Sequence, residues 1–138
     1  MKKLGTHLIA EFYGCDANKI SKVSYVKEAM EEAALKANAT IIQSTFHQFN
    51  PYGVSGVIII AESHLSIHSW PEYGYASIDV YTCGDHVDPW ITLRYLEKAF
   101  EASDLEVMEL PRGRESKIKI KGIKEYEEYS LNQKVLEG

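Results

Sequence analysis

Two periods of apolar residues alternate along this chain. From Leu4 to Tyr13, Leu8, Ala10 and Phe12 alternate with His7, Ile9 and Glu11, the pattern of a strand with one buried face. From Ser21 to Ala37 the period lengthens. Val23, Val26, Met30, Ala33 and Ala37 recur at helical spacing, with Lys22, Lys27, Glu28, Glu31, Glu32 and Lys36 on the polar sides. Thr40 to Phe49 is β-branched and aromatic and predicts a second strand. Asn50-Pro51-Tyr52-Gly53 predicts a turn. Val54 to Ala61 predicts a third strand. Its unbroken Val57-Ile58-Ile59-Ile60 predicts burial on both faces and a central place in a sheet. His64 to Trp70 and Tyr75 to Cys83 predict further strands around Pro71-Glu72-Tyr73-Gly74. Asp88 suits a helix cap and Pro89 a first helical turn, and Trp90, Leu93, Leu96 and Phe100 supply the apolar face that follows. Leu105 to Leu110 predicts a last core strand. Beyond Lys117 the tail is charged and tyrosine-rich, and its pattern predicts no element.

These segments condense to the order β-α-β-β-β-α-β. Adjacent strands with only two helices predict an α+β fold: a two-layer sandwich, its antiparallel sheet carrying two helices on one face. The other sheet face then needs a cover, because bare it would be a large apolar patch. In so short a chain the economical cover is a second copy, so a homodimer is expected.

Composition narrows the class. With 138 residues the chain holds one domain, and its 45% apolar and 25% charged residues are those of a soluble globular protein. The formal net charge of −5 argues against nucleic acid as a partner, and Arg112-Gly113-Arg114 is too short to reverse that. No apolar run approaches the roughly 20 residues of a membrane helix. Met1-Lys2-Lys3-Leu4-Gly5 begins like a signal peptide, but no long apolar segment follows. A cytoplasmic location is expected, with Cys15 and Cys83 as reduced thiols rather than a disulfide.

The chemistry concentrates between Phe49 and Gly84. Glu62, Ser63, His64, His68, Glu72, Asp79 and Cys83 crowd one stretch of sheet, where ionisable groups are costly unless paired or used. His64 and His68 have the spacing of a helical zinc site. On a strand, four residues span about 13 Å, too far for one ion, so no metal is expected. Ser63 lacks the GxSxG elbow of a serine hydrolase. Nothing in the local pattern alone makes it a nucleophile.

Three stretches are more specific: Pro51 to Val57 (PYGVSGV), Glu62 to Gly84 (ESHLSIHSWPEYGYASIDVYTCG) and Asp88-Pro89. With these, the chain from Leu4-Gly5 through Pro111-Arg112-Gly113 resembles the prokaryotic S-adenosylmethionine decarboxylase proenzymes, a pyruvoyl-dependent family. The last twenty or so residues fall outside the resemblance. It implies one domain over residues 1–138 that cuts itself into a beta chain, 1–62, and an alpha chain, 63–138. On that model Ser63 Oγ attacks the Glu62 carbonyl, the amide becomes an ester, and β-elimination with hydrolysis leaves a pyruvoyl group on residue 63. His68 is implied as the processing base and Ser55 as an aid to processing by hydrogen bonding near the scissile carbonyl. The pyruvoyl group then takes the place of pyridoxal phosphate, forming a Schiff base with the substrate amine. Cys83 is implied as the proton donor, Phe49 as a stack for adenine, and Glu72 as an acceptor for the ribose hydroxyls.

The implied reaction releases CO2 from S-adenosylmethionine and supplies spermidine synthesis. The implied assembly is a homodimer of two alpha and two beta chains, without nucleic acid or membrane. Two other readings stay open: the same chemistry on arginine or ornithine, and an uncut, non-catalytic binding subunit. No role is expected for His47 or His64, and Cys15 reads as a small buried residue.

Overall fold

Alternation along the first strand decides which side of the sheet becomes core. In the computed structural model, which describes residues 2–121, β1 (Lys3–Tyr13) buries Leu8, Ala10 and Phe12 completely. His7, Ile9 and Glu11 turn the other way and stay partly exposed. The chain continues through α1 (Ala17–Ile20), α2 (Val23–Lys36), β2 (Thr40–Gln48), β3 (Val54–Ala61), β4 (Ser63–Trp70) and β5 (Tyr75–Cys83). It ends with α3 (Pro89–Ala99) and β6 (Asp104–Arg114). The strands form one sheet in the order β2-β3-β4-β5-β1-β6, with every neighbour antiparallel.

α2 lies over β2 and β3, and α3 over β1 and β5. Met30, Ala33 and Ala34 of α2 and Leu93 and Leu96 of α3 meet Leu8, Ile58, Leu65, Ile67, Ile78 and Val80 of the sheet, all almost wholly buried. Each large side chain buried this way contributes roughly 1.5–3 kcal/mol, so this single layer of contacts is the main stabilising term. The expected cap is present: Trp90 N–H donates to Asp88 Oδ1 at 3.0 Å, ahead of Pro89. Cys15 sits against the core, and burial pushes its thiol up to about 11, as befits a packing residue.

The structure corrects the expected architecture in five places. There are six strands, four of them consecutive, so the condensed order is one strand short. Only Glu62 separates β3 from β4, which makes them nearly continuous in sequence. A third helix, α1, precedes α2; four residues are too few to show a period, and its signal is the cap in which Lys19 N–H meets Asp16 Oδ1 at 3.0 Å. β6 is an edge strand rather than a core one, with Met108 58% exposed. β3 is not buried on both faces: Ile58 and Ile60 are in the core, but Val57 and Ile59 are 37% and 45% exposed. They lie on the sheet face opposite the helices, which nothing covers among the described residues. The charged tail passes out of the described residues after Lys121.

Candidate active site

The β3–β4 hairpin turns on Glu62 alone. Its register pairs Ile60 with Ser63, and Ser63 pairs on its other side with Thr82 of β5. The Ala61–Glu62 peptide is cis, and Ser63 holds φ at 103°. A positive φ on a serine costs on the order of 1–3 kcal/mol and persists only where surrounding pairing enforces it. Here two flanking strands enforce it, immediately after the Glu62–Ser63 bond.

Glu62 and Cys83 line a cleft of about 570 Å³ together with Leu4, Thr40, Ala61, Tyr81, Gly84 and His86. Burial first, and the nearby Glu62 carboxylate second, raise the Cys83 thiol above its ordinary range. A thiol held this way keeps its proton at neutral pH and is available as an acid. Close approach depends on Gly5, which pairs with Cys83 across β1 and β5. A Cβ there would sit 2.6 Å from Thr82 O and 3.1 Å from Cys83 Sγ, so no side chain is tolerated without moving the thiol.

A second group lies at the opposite end of the same strands. Ser55 and His68 are cross-strand partners, and Ser55 Oγ shares a 2.7 Å hydrogen bond with His68 Nδ1. They line a cleft of about 360 Å³ with Phe49, Tyr52, Gly53, Ser69, Trp70 and Glu72. The loop carrying Phe49 is pinned: Phe49 N–H and Gln48 Nε2 both donate to Gly53 O, at 2.8 and 2.9 Å. Val54 N–H donates to Ser69 Oγ at 2.9 Å, and Ser69 donates in turn to Ile20 O at 2.7 Å, which ties β3 and β4 to α1. Glu72 sits on a single 3₁₀ turn, Pro71–Tyr73, closed by Gly74 at φ 60°. Phe49 is 48% exposed, with the His47 ring edge-on to it at 4.6 Å.

The expected site residues therefore fall into two groups. Glu62 and Cys83 line one cleft, with Ser63 next to Glu62 and paired with Thr82, while Ser55, His68, Phe49 and Glu72 line the other. The groups do not meet within one chain: Ser63 and His68 are five positions apart on β4, a distance of about 17 Å for an extended strand. His64 and His68 likewise lie along this strand. Pattern reading also passed over Tyr81, His86, Tyr52 and Trp70, which line the clefts. A period of two would have found Tyr81 from Cys83 and Trp70 from His68, since alternate residues share a face.

A six-stranded α+β sheet bearing an acid–serine hairpin beside a protonated thiol, and a serine–imidazole pair on its open face, is the framework of an enzyme. The profile of the S-adenosylmethionine decarboxylase family matches residues 6–113, and the chain belongs to that family. It is 54% identical over 120 residues to the S-adenosylmethionine decarboxylase proenzyme of Thermotoga petrophila, covering 87% of this chain and 92% of that one. It is 55% identical over 113 residues to the proenzyme of Acidithiobacillus ferrooxidans, covering 82% and 85%. The crystal structure of the adenosylmethionine decarboxylase from Aquifex aeolicus superposes with a TM-score of 0.80 at 39% identity, over 88% of this chain and all of that one.

Proposed function

We propose that this chain cuts itself between Glu62 and Ser63 and then decarboxylates S-adenosylmethionine. The observation that carries the reading is the Glu62–Ser63 hairpin, with Ser63 at positive φ, opening beside the Cys83 thiol. In the first stage Ser63 Oγ attacks the Glu62 carbonyl carbon and the peptide becomes an ester. Loss of the Ser63 α-proton then expels the Glu62 carboxylate. Hydrolysis of the resulting alkene amine releases ammonia and leaves the pyruvoyl group on the 63–138 chain. That group supplies a carbonyl that accepts the substrate amine and the electron pair freed as CO2 leaves. Cys83 delivers the proton that the substrate α-carbon then requires, and its raised thiol pKa keeps that proton available.

His68 is the base for the α-proton, and Ser55 orients it through their 2.7 Å hydrogen bond. A base about 17 Å away along its own strand does not reach, so the reading requires a second copy. Two sheets packed by their open faces about a two-fold axis perpendicular to the strands place one end of each strand over the opposite end of its counterpart. Ser63 and Cys83 of one chain then meet Ser55 and His68 of the other. The same packing covers Val57, Ile59, Trp70 and Met108, which a single chain leaves exposed. Phe49, Trp70 and Tyr52 supply planar surfaces for adenine and Glu72 an acceptor for ribose, which favours a nucleoside substrate over arginine or ornithine.

Intact mass should show two fragments, 1–62 and a pyruvoyl-capped 63–138, and CO2 should be released from carboxyl-labelled S-adenosylmethionine. Release from arginine or ornithine instead would overturn the substrate, and a chain that stays whole would overturn the mechanism. No described helix is long and apolar enough to cross a membrane.

The thiol also sets a pH dependence. Turnover needs Cys83 protonated, so it holds past the ordinary thiol pKa and falls as pH rises through the raised one. In the processed fraction of a Glu62→Gln variant one of the two causes is gone. Its alkaline limb should move to lower pH in a kcat–pH profile; an unmoved limb would remove Glu62 from this role.

A further inference from the structure

Behind the Cys83 cleft, four strands are joined by one polar chain that the reaction above does not use. Arg112 of β6 donates from Nη1 to His7 Nδ1 of β1 at 2.9 Å. A guanidinium has no acceptor, so Nδ1 carries the lone pair and the ring proton is on Nε2. Nε2 donates to Asp79 Oδ1 of β5 at 3.0 Å, and Ser66 of β4 donates to Asp79 Oδ2 at 3.2 Å. Both ring nitrogens are thus engaged, which fixes the plane of the imidazole.

That plane bears on Tyr81. The His7 ring stacks on Tyr81 with centroids 5.3 Å apart and 12° between planes. The Arg112 guanidinium carbon lies 4.7 Å from the Tyr81 centroid, and the His64 ring meets it edge-on at 5.6 Å. Tyr81 is a wall of the Cys83 cleft, and both side chains close over Gly5. A Cβ on Gly5 would lie 2.8 Å from Tyr81 Cε1 and 3.1 Å from Cys83 Sγ. Ring and thiol therefore border the same small space over Gly5, so the position of one bounds that of the other.

We infer that the Arg112–His7–Asp79 chain is a positioning device: by clamping Tyr81 it fixes the Cys83 thiol at the substrate α-carbon and so decides which carbon is protonated. The inference rests on the decarboxylase reading. The electron pair freed with CO2 is shared between the substrate α-carbon and the former ketone carbon of residue 63. A proton delivered to the first gives the product amine. A proton delivered to the second, followed by water, releases the substrate as an aldehyde and leaves its nitrogen on residue 63 as an alanine N-terminus, which ends that site's activity. Placement of the acid by a fraction of an ångström separates these outcomes.

Two variants test this: His7→Gln, which cannot stack on Tyr81, and Arg112→Met, which changes an exposed residue on an edge strand and so protects against a folding failure. Ser66→Ala serves as a control that removes only the far hydrogen bond. All are compared at matched thermal stability and oligomeric state. Both test variants should lose about tenfold in kcat with KM changed less than about twofold, and should accumulate alanine-ended alpha chain several times faster per turnover. In the uncut Ser63→Ala background, which requires no turnover, iodoacetamide should label Cys83 several times faster when either change is added, with buried Cys15 as internal reference. Unchanged kcat, termini and labelling in both variants would overturn the inference while wild-type CO2 release left the decarboxylase reading standing. Absence of CO2 release by the wild type would overturn that reading itself.

Discussion

Ser63→Ala should leave the chain whole and abolish decarboxylation together. The methyl group has no oxygen to attack the Glu62 carbonyl, so no ester forms and no pyruvoyl group can follow. The effect is all-or-none because the ketone that decarboxylation uses forms only after the Ser63 oxygen has made the ester and left with the Glu62 carboxylate. The native fold should survive: Ser63 side-chain atoms make no hydrogen bond among those of the described residues, and an alanine at φ 103° is strained much as serine is. Intact mass, with carboxyl-labelled S-adenosylmethionine as the activity readout, checks both halves. Two fragments from the variant would place the cut elsewhere. A whole chain that still releases CO2 would mean that catalysis does not use residue 63.

Co-production of Ser63→Ala with His68→Ala should restore processing that neither variant has alone. The basis is the separation of about 17 Å along β4 between Ser63 and His68. If each site takes Ser63 from one chain and His68 from the other, a mixed dimer contains one intact pair and one doubly defective pair. Random pairing in equal amounts would give about a quarter of wild-type activity, all of it carried by the His68→Ala chain. Tagging the two chains differently shows which is cut. If each chain completed its own site, no mixture would be cut, and that result would dispose of the shared arrangement. Cys83→Ala belongs with Ser63 in this scheme: paired with Ser63→Ala it should not complement, because both losses fall in the same half-site.

Much of this was legible in the chain. Alternation in β1 and β5 and the helical spacing of Val26, Met30 and Ala33 set the α+β layers, because side-chain period follows directly from backbone geometry. The Asp88-Pro89 helix start was equally plain, since a cap is a local interaction. α1 and the one-residue hairpin were not, being shorter than any period. The apolar run in β3 misled for a physical reason. Val57 and Ile59 have the composition of buried residues, yet a single chain leaves them partly bare, because an apolar run records residue type and not which of its two faces the helices cover.

The Glu62–Ser63 bond, Cys83, Ser55 and His68 were singled out by the family resemblance that residue order carries, though Ser55 and His68 not as a pair. What the order could not hold was their distribution in space. Eight positions separate Ser55 from Ser63, and a hairpin folds those strands antiparallel, so residues near each other in sequence go to opposite ends of the sheet. Conversely, Arg112 and His7 are 105 positions apart and share a hydrogen bond, because β6 closes against β1. The chain by itself determined the layers and the chemical groups. The tertiary structure decided which groups meet, since pairing register, and not sequence distance, sets the separations over which protons and charges act.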